Sequence, residues 1–496
     1  MLVQPVARTT GGAVRGFVDR GLAAFRGIPY GRPPVGPLRF AAPVPPEPWD
    51  GVREAVAYGP VVPQSGPLQA EPTTGTDWLT LNVCTPHPDS AGLPVLVWLH
   101  GGGFISGTAG DPLYDPTELA RAGLVVVTVN YRVGAEGFAL LDGAPANRAF
   151  LDQIAALEWV RHNIAAFGGD PARVTVAGQS AGASSVAALL AVPRARGLFH
   201  RAIAHSVGGN LATPALAAEI TAALAERLGT APTAAGLAGI DPWQLAEAVT
   251  GLGAALPGHL ARWGRLAQTG VPTVPVVDGE LLTEEPWTAL AAGRAEGIEL
   301  LVGHAREEFR LFAVLAGRHG AFTEEDARTA LALLAPHPGG PDAYRAAFPG
   351  ATPDTLVGAV FSDALFRIPS LHLAEGNTAA GGTSHLFQLA YPAPALGGAF
   401  GACHGLDVPL AFGSLDSPMG RHFLGDPPAP EAVAVSRELQ QAWVRFVGTG
   451  DPGWAAHEPE QQLTRVLSAR SETVRYPDQA SRGIWAQGGP TRFDLV

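Results

Sequence analysis

Cysteine is scarce in this 496-residue chain, which contains only Cys84 and Cys403. Two cysteines are too few for the disulfide framework of a small secreted domain, and neither belongs to a closely spaced pair of the kind that binds a metal ion. One bridge between the two is an alternative, but two buried free thiols are the better interpretation. We therefore expect a fold that depends on its hydrophobic core and holds no metal.

Clusters of positive charge are also missing. The 33 basic residues, all of them arginine, are outnumbered by 45 Asp and Glu residues, so the net charge is −12, and no run of basic residues occurs. A basic patch is what a protein needs to bind a phosphate backbone or an anionic lipid surface. Nucleic acid and membrane surfaces are therefore not expected as partners.

Long apolar segments are absent as well. No uninterrupted apolar run approaches the roughly 20 residues that span a bilayer. Residues 1–12 lack the charged and apolar regions of a secretory signal. We expect a soluble, cytoplasmic protein without a membrane anchor, and we leave open the secretion of a processed form. The sequence does not distinguish a monomer from a dimer.

Strand and helix patterns alternate along the chain. Short strands are predicted at 13–18 and 22–28, apolar strands at 94–99, 124–130, 174–177, 299–302 and 385–391, and helices at 150–165 and 181–190. Strands that are apolar throughout are typical of a sheet buried on both faces. The order therefore predicts an α/β fold with a mostly parallel central sheet covered by helices on both faces.

The chain is predicted to be a single catalytic domain over residues 1–496. Its 62 glycines and 45 prolines are spread along the sequence, and neither an internal repeat nor a long linker is visible. The Ala/Leu-rich segment at about 213–266 and the segment 310–380 are predicted to be helical insertions over the sheet and the active site. A closing amphipathic helix is predicted at 431–446, ended by Gly448.

A serine lies between two glycines where a predicted strand meets a predicted helix. Ser180 follows the strand 174–177 and precedes the helix 181–190, with Gly178 and Gly182 two residues to either side. This is the setting of a nucleophile elbow, in which a strained turn lifts the serine hydroxyl above the sheet. A Cβ at either glycine would collide with the neighbouring strand or helix. A plain junction of small residues is the alternative on this motif alone.

A glycine-rich segment, H-G-G-G-F at 100–104, directly follows the predicted strand 94–99. Glycines allow backbone N–H groups to face a ligand at close range. Two such donors, together with the N–H of Ala181, would form an oxyanion hole for a tetrahedral intermediate. A glycine run is often only a flexible loop, but its place upstream of the serine favours an acyl-transfer hydrolase.

A nucleophilic serine needs a base and an acid, and in hydrolases with such an elbow the acid and then the histidine follow the serine in the chain. Glu307 and Glu308 come after the predicted strand 299–302. One of them is predicted to be the acid and the other a solvated charge, and spacing does not choose between them. His404 lies in a glycine-flanked loop beyond the strand 385–391, where the base is needed.

Further motifs occur in a fixed order along the chain. They are F-R-G-I-P-Y-G-R-P-P-V-G-P-L-R-F (25–40), L-N-V-C-T-P (81–86), N-Y-R-V-G-A-E-G-F (130–138), L-D-Q-I-A-A-L-E-W-V-R-H-N-I-A-A-F-G-G-D-P (151–171), V-V-D-G (276–279) and F-V-G-T-G-D-P (446–452). With the serine and glycine segments, they make the chain resemble the type-B carboxylesterase/cholinesterase family of α/β hydrolases, in its bacterial, para-nitrobenzyl-esterase-like form. The resemblance covers about residues 6–452.

The resemblance implies a carboxylic ester hydrolase that acts on a small-molecule ester without a metal or organic cofactor. It implies Ser180 as nucleophile, His404 as base and Glu308, rather than Glu307, as the acid. It also implies three oxyanion donors, Gly102, Gly103 and Ala181, and two positions that support the histidine region, Ser206 and Asp407.

Three departures from the family pattern bear on function. Gln179 stands before the serine where relatives usually carry Glu, which weakens the case for cationic substrates and favours neutral, small to medium esters. T-D-W-L (76–79) replaces E-D-C-L. This change removes a disulfide cysteine, in keeping with a reduced compartment, and it also removes an acidic partner for the region of Arg39. Phe309 replaces the glycine after the acid.

Two alternative functions are weighed against ester hydrolysis. The same residues could transfer acyl groups from amide or thioester bonds, and the sequence does not separate these substrates. Some members of the family are catalytically inactive adhesion or binding proteins that have lost the nucleophile. The serine, the histidine, the acid and the glycine loop are all present here, which argues against an inactive homologue.

Overall fold

The strands of the chain form one large sheet and one small sheet. The computed structural model describes residues 4–66, 69–486, 488–489 and 492–496. The strands are β1 (Val6–Thr9), β2 (Gly12–Arg15), β3 (Phe17–Asp19), β4 (Leu22–Pro29), β5 (Val52–Glu54), β6 (Thr80–Thr85), β7 (Leu93–Leu99), β8 (Val125–Val129), β9 (Gly169–Gln179), β10 (Arg201–His205), β11 (Glu299–Ala305), β12 (Ser384–Leu389), β13 (Leu463–Leu467) and β14 (Glu472–Arg475). The large sheet has the order β14-β13-β12-β11-β10-β9-β7-β8-β6-β4-β3, and the small one β1-β2-β5.

The centre of the large sheet is parallel. From β13 to β8 in the spatial order, each strand pairs with its neighbour in parallel. Antiparallel strands complete both sides, β14 next to β13 and β6, β4 and β3 beyond β8. The central strands are buried along nearly their whole length, since both faces are covered. The prediction of an α/β fold with a mostly parallel central sheet is confirmed.

Helices cover both faces of this sheet. They are α1 (Thr117–Arg121), α2 (Gly134–Phe138), α3 (Arg148–Asn163), α4 (Ala181–Ala191), α5 (Pro214–Arg227), α6 (Ala234–Ala238), α7 (Pro242–Ala255), α8 (Leu260–Trp263), α9 (Pro286–Ala291), α10 (Arg310–Leu315), α11 (Glu324–Leu334), α12 (Gly340–Ala347), α13 (Pro353–Ser362), α14 (Ile368–Ala379), α15 (Ala395–Gly398), α16 (Asp407–Phe412), α17 (Pro418–Leu424), α18 (Pro430–Thr449) and α19 (Gln479–Trp485). The segments 213–266 and 310–380 are thus largely helical.

Alternate residues of each central strand belong to different cores, because successive side chains of a strand point to opposite faces. In β7, Val95, Val97 and Leu99 lie in the larger core with residues of α3, α4 and α14. Leu96 and Trp98 lie in the second core with residues of α16 and α18. Each face of the sheet therefore has its own hydrophobic core.

One helical stretch is unusually long and apolar. A π-helical turn, Asp363–Arg367, joins α13 to α14, so that the helix is continuous from Pro353 to Ala379. By length and composition alone it could cross a membrane, but 78% of its most apolar window is buried inside the protein. Core helices of water-soluble proteins pass the same test, and the burial of this one fits such a helix.

Two element boundaries differ from the sequence prediction, and one strand was not predicted. The predicted strand 13–18 is split at Gly16, where an added Cβ would lie 2.3 Å from the carbonyl oxygen of Ala24. The closing helix continues through Gly448 to Gly450, whose φ of 84° ends it in the left-handed conformation that favours glycine. Strand β10 was not predicted, because R-A-I-A-H is short and has polar residues at both ends.

Candidate active site

Ser180 lies in the turn between β9 and α4. Its backbone has φ 57° and ψ −124°, a strained conformation for a residue with a side chain. Its N–H donates to the carbonyl of His205 at the end of β10, with an N–O distance of 2.9 Å. The hydroxyl does not cap α4, although serine often caps a helix in this position. The strained turn therefore leaves the hydroxyl free of the helix that follows it.

The two flanking glycines are required by close packing. A Cβ on Gly178 would lie 2.4 Å from the carbonyl carbon of Gly182, and a Cβ on Gly182 would lie 2.0 Å from the carbonyl oxygen of Leu99. Neither contact involves a side chain that could move away. The prediction that a Cβ here would collide with the neighbouring strand or helix is confirmed.

The glycine loop after β7 presents backbone donors. Gly102 and Gly103 have φ values of 118° and 62°, and a Cβ on Gly102 would lie 2.1 Å from the carbonyl oxygen of Ser106. Within the described part of the chain, neither N–H donates to a protein acceptor. Ala181 is the first residue of α4, where N–H groups lack intrahelical acceptors. All three groups are suited to bind an oxyanion.

His100 and Tyr131 support this loop from below. The Tyr131 hydroxyl donates to the His100 carbonyl, and the His100 ring donates from Nδ1 to the Gly101 carbonyl at 2.8 Å. The two rings stack with centroids 4.3 Å apart. Burial lowers the pKa of His100 to about 4, so that its imidazole is neutral near pH 7. The neutral imidazole of His100, stacked on Tyr131 and bonded to Gly101, therefore holds the glycine loop in place.

Glu308 and His404 form a buried pair. Glu308 Oε2 lies 2.6 Å from His404 Nδ1, and the glutamate side chain is inaccessible to solvent. The other carboxylate oxygen accepts the Ser206 hydroxyl and the Ala305 N–H, each at 2.6 Å. A carboxylate on Nδ1 keeps the proton of the neutral imidazole there and leaves Nε2 as an acceptor. His404 is thus prepared to take a proton at Nε2.

The Nε2 atom of His404 faces the nucleophile turn. Gln179, which directly precedes Ser180, has its amide nitrogen 3.1 Å from Nε2. Because Nε2 is an acceptor in this tautomer, the amide donates. Two aromatic rings pack on the imidazole, Phe366 from the π-helical turn at 4.3 Å between centroids and Phe312 of α10 at 5.3 Å. The imidazole is therefore confined between its acid, the elbow and an aromatic wall.

Glu307 is a surface charge with a 36% exposed side chain, and it also makes contacts that the sequence does not predict. Its carboxylate accepts the Ala402 N–H at 2.9 Å and forms an ion pair with Arg310. Its own N–H donates to the Ala402 carbonyl at 2.9 Å, and the Arg310 guanidinium donates to the Ala399 carbonyl at 2.6 Å. Glu307 is therefore partly solvated and also binds the segment that leads to His404.

Two further expectations can be compared with the structure. Cys84 and Cys403 are both free and buried, as predicted. Burial raises the pKa of Cys84 to about 12 and that of Cys403 still further above its usual value, so both thiols are protonated and unreactive. Arg39 does have an acidic partner, because Glu136 lies 2.6 Å away and both side chains are buried.

One residue of the site escaped the sequence analysis. His205 Nδ1 lies 2.6 Å from Asp407 Oδ2, and the indole N–H of Trp443 donates to His205 Nε2 at 3.1 Å. The family pattern implies Ser206 and Asp407. It does not name His205, whose ring contacts Asp407 and whose carbonyl accepts the Ser180 N–H. The available signal was a histidine directly before Ser206, at the end of a strand that was itself missed.

The structure brings together most of the predicted site residues. Glu308, His404, Gln179 and Ser206 are joined by hydrogen bonds, and Ser180 is adjacent to Gln179. Asp407 contacts His205 instead of a member of this group. No group of three or more His, Cys, Asp or Glu side chains within the described residues is arranged to hold a metal ion. The chemical role of each residue stays a prediction.

The chain is similar in sequence and structure to known esterases. The model of the carboxylesterase family matches residues 3–337. A para-nitrobenzyl esterase of Bacillus subtilis (strain 168) is 36% identical over 97% of this chain and 98% of its own length. A phenmedipham hydrolase of Pseudarthrobacter oxydans is 37% identical over 91% of both chains. The crystal structure of the Geobacillus stearothermophilus carboxylesterase EST55 at pH 6.2 matches with a TM-score of 0.86 and 35% identity, covering 97% of this chain and 99% of that one.

Proposed function

The chain belongs to the carboxylesterase family and is a serine carboxylic ester hydrolase, and we propose that Ser180, His404 and Glu308 perform its reaction on neutral, small to medium esters. The observation that carries this assignment is the 2.6 Å contact between Glu308 and His404, with Nε2 facing the strained turn of Ser180. The same residues are the ones that the family pattern implies.

In the acylation step, Ser180 Oγ attacks the ester carbonyl and His404 Nε2 takes its proton. Nε2 has a single lone pair, so the serine hydroxyl takes the place that the Gln179 amide holds in the resting site. Glu308 keeps the imidazole in the required tautomer and stabilises the imidazolium. The C–O bond to the alcohol then breaks, and the alcohol leaves with the proton from Nε2.

The negative charge of the tetrahedral intermediate is bound by backbone donors. The N–H groups of Gly102, Gly103 and Ala181 belong to two segments that follow β7 and β9 of the sheet. Each donor of this kind contributes about 10²–10³-fold to the rate. Water then attacks the carbonyl carbon of the acyl-enzyme while His404 Nε2 takes a proton from it. The bond to Ser180 Oγ breaks, Oγ takes the proton back from Nε2, and the carboxylic acid leaves.

The neutral charge of the substrate is inferred from Gln179. An amide beside the nucleophile offers no electrostatic attraction to a cationic alcohol group, whereas a carboxylate would. The name of one relative, a para-nitrobenzyl esterase, agrees with an uncharged ester. Amide and thioester bonds are the competing substrates, and the substrate panel described below separates them from esters.

Covalent labelling tests the nucleophile. Wild-type protein should react with a fluorophosphonate probe, and Ser180→Ala should not, since the probe needs the serine oxygen activated by His404. Peptide mapping should place the adduct on Ser180. Equal labelling of the variant, or no labelling of the wild type, would overturn the assignment.

A substrate panel tests the bond that is cleaved. The wild type is given matched ester, thioester and amide analogues with the same acyl group. For each analogue the enzymatic rate is divided by the spontaneous rate, and this ratio should be largest for the ester. Ser180→Ala is the control for spontaneous hydrolysis. A larger rate enhancement on the amide would replace ester hydrolysis as the favoured reaction of this site.

We propose further that residues 1–496 act as one catalytic domain in the cytoplasm. The larger core contains residues from Ala7 to Phe493, which supports a single unit. The free thiols of Cys84 and Cys403 support a reducing compartment. A single cooperative unfolding transition and recovery of the activity in the cytosolic fraction of the source cells are the expected results; two transitions or recovery in the medium would contradict them.

A further inference from the structure

A second histidine–carboxylate pair lies beside the first and has no part in the proposed reaction. His205 and Asp407 are 1% and 2% exposed, and their Nδ1–Oδ2 distance is 2.6 Å. An indole nitrogen only donates, so Trp443 makes His205 Nε2 an acceptor at 3.1 Å. The imidazole therefore carries its proton on Nδ1 and donates it to Asp407.

The ring of His205 is also fixed by its neighbours. Phe387 and Trp443 meet it edge-to-face, with centroids 4.6 and 5.1 Å away. All of these groups are buried, and a substrate has no access to them. The pair is therefore not a second reaction centre, and its role must be exerted through the residues that it holds.

The dipeptide His205–Ser206 contacts every segment that carries a member of the proposed triad. The His205 carbonyl accepts the Ser180 N–H at 2.9 Å, and the Ser206 hydroxyl donates to Glu308 at 2.6 Å. The His205 ring binds Asp407, the first residue of α16, which lies three residues after His404. Ser206 itself has φ 57° and donates its N–H to the Gly303 carbonyl of β11 at 2.7 Å.

We propose that His205 is a positioning residue that holds the loop of His404 in register with the nucleophile turn, and that Trp443 holds the His205 ring in the orientation in which it does so. The inference rests on the proposed function of Ser180 and His404. Its specific content is His205 and Trp443, since the family pattern already implies Ser206 and Asp407. Loss of the His205 side chain would free the loop 403–407 at one end while leaving the backbone bond to Ser180.

Asp407 makes this contact hard to replace. Its Oδ1 atom is buried without a hydrogen-bond partner among the described residues, so Oδ2 carries the only side-chain hydrogen bond that the structure records for it. A buried carboxylate that loses its last donor must move toward water or take up a proton. Either response displaces the loop on which His404 lies.

The test compares His205→Phe with His205→Asn in the full-length enzyme. Phenylalanine keeps the bulk but cannot donate to Asp407, whereas the asparagine amide can donate from nearly the position of Nδ1. His205→Phe should lower kcat about 10–100-fold with KM changed less than about threefold, because misplacement of a reacting group by about 1 Å has this cost. His205→Asn should recover most of the loss.

Trp443→Phe provides a second variant that removes the indole N–H and leaves the His205 side chain in place. It should lower kcat about threefold to tenfold, because the buried Nε2 of His205 loses its donor and the ring is held less firmly against Asp407. The matched control is His457→Phe, since His457 is also 1% exposed but lies beside β13, where it contacts the Leu463 carbonyl. Rates are expressed per active site titrated with the fluorophosphonate probe, which counts only folded sites.

The outcomes separate this inference from the proposed function. Failure of the wild type to label would overturn the proposed function. Normal labelling with kcat unchanged in both His205→Phe and Trp443→Phe would overturn the positioning role. Equal losses in His205→Phe and His457→Phe would make the effect a general one of the core and would also overturn it. If His205→Phe does not fold, His205→Asn and Trp443→Phe decide.

Discussion

Two buried histidine–carboxylate pairs lie side by side at the carboxyl ends of the parallel strands. In His404–Glu308 and in His205–Asp407, an imidazole Nδ1 lies 2.6 Å from a carboxylate oxygen. They differ in what the other nitrogen meets. His404 Nε2 meets the amide of Gln179 beside Ser180, whereas His205 Nε2 meets the indole N–H of Trp443 in the core. A buried histidine and its acid are thus suited to catalysis, the role proposed for His404, or to support, the role proposed for His205, according to the partner of Nε2.

The two pairs are also connected. His404 and Asp407 lie on one segment, residues 404–407, and His205 and Ser206 lie together at the end of β10. Each segment therefore supplies one group to the contacts around Glu308 and one to the contact between His205 and Asp407. In the proposed reactive pair, His404–Glu308, the imidazole packs on the aromatic wall of Phe312 and Phe366. In the proposed supporting pair, His205–Asp407, it packs on Phe387 and Trp443. Substitutions that alter one pair at a time should reveal this division.

The largest effect is expected from removing the charge of the reactive pair. Glu308→Gln should reduce kcat about 10²–10⁴-fold, because an amide cannot stabilise the imidazolium and can stabilise the wrong tautomer of His404. The measurement is steady-state hydrolysis of p-nitrophenyl acetate. Glu307→Gln is the matched control and should retain activity within about threefold, since its amide oxygen can still accept the Ala402 N–H. The reverse result would make Glu307 the acid.

A third buried histidine, His100, sharpens the comparison, because its Nε2 has no partner among the described residues. Its pKa is about 4 in the folded protein and 6.5 when unfolded. Below pH 6.5 the unfolded chain therefore binds a proton that the folded chain does not. Stability should fall as the pH drops from 6.5 toward 4, and this residue should account for roughly 2–3 kcal/mol at pH 4.5.

Urea unfolding at pH 7.5 and pH 4.5 checks the contribution of His100. The free energy of unfolding should depend less on pH in His100→Gln than in the wild type, by about the amount given above. A comparison of pH dependence cancels the loss of stability that the substitution causes at both pH values. The same pH dependence in both proteins would contradict the assignment.

The smallest effect is expected from a substitution of Gln179, whose amide contacts His404. Gln179→Glu would place a negative charge next to His404 and Ser180. The ratio of kcat/KM for acetylcholine to that for its uncharged isostere, 3,3-dimethylbutyl acetate, should rise about tenfold, since a partly screened charge at this range is worth ~1–2 kcal/mol. An unchanged ratio would mean that Gln179 does not set the preference for neutral esters.

The central strands and the two glycine-flanked segments could be predicted from the sequence because local pattern determines them. Runs such as residues 94–99 are apolar throughout, and a serine between glycines at a strand end is typical of a nucleophile elbow. Spacing could not choose between Glu307 and Glu308. Neighbouring side chains at a strand end point in different directions, so the choice of Glu308 came from the family pattern, and the fold shows that Glu308 contacts His404.

His205 and Phe366 could not be predicted for different reasons. Strand β10 has only three apolar residues, and what makes it a strand is its position between β9 and β11. Phe366 reaches His404 from a π-helical turn, a conformation that packing stabilises and that has no local sequence pattern. Both depend on contacts between residues far apart in the chain.

The attachment of the proposed triad to the sheet has a consequence for the divergence of such enzymes, because Ser180 and Glu308 follow β9 and β11 and His404 is connected through Asp407 to His205 at the end of β10. The chemistry depends on strand ends and their short loops, whereas the long helical segment 310–380 reaches the imidazole through Phe312 and Phe366. That segment can therefore accumulate substitutions that reshape the space around a substrate without moving the reacting atoms. A scaffold built in this way can acquire new ester preferences in small steps, each of which leaves a working hydrolase.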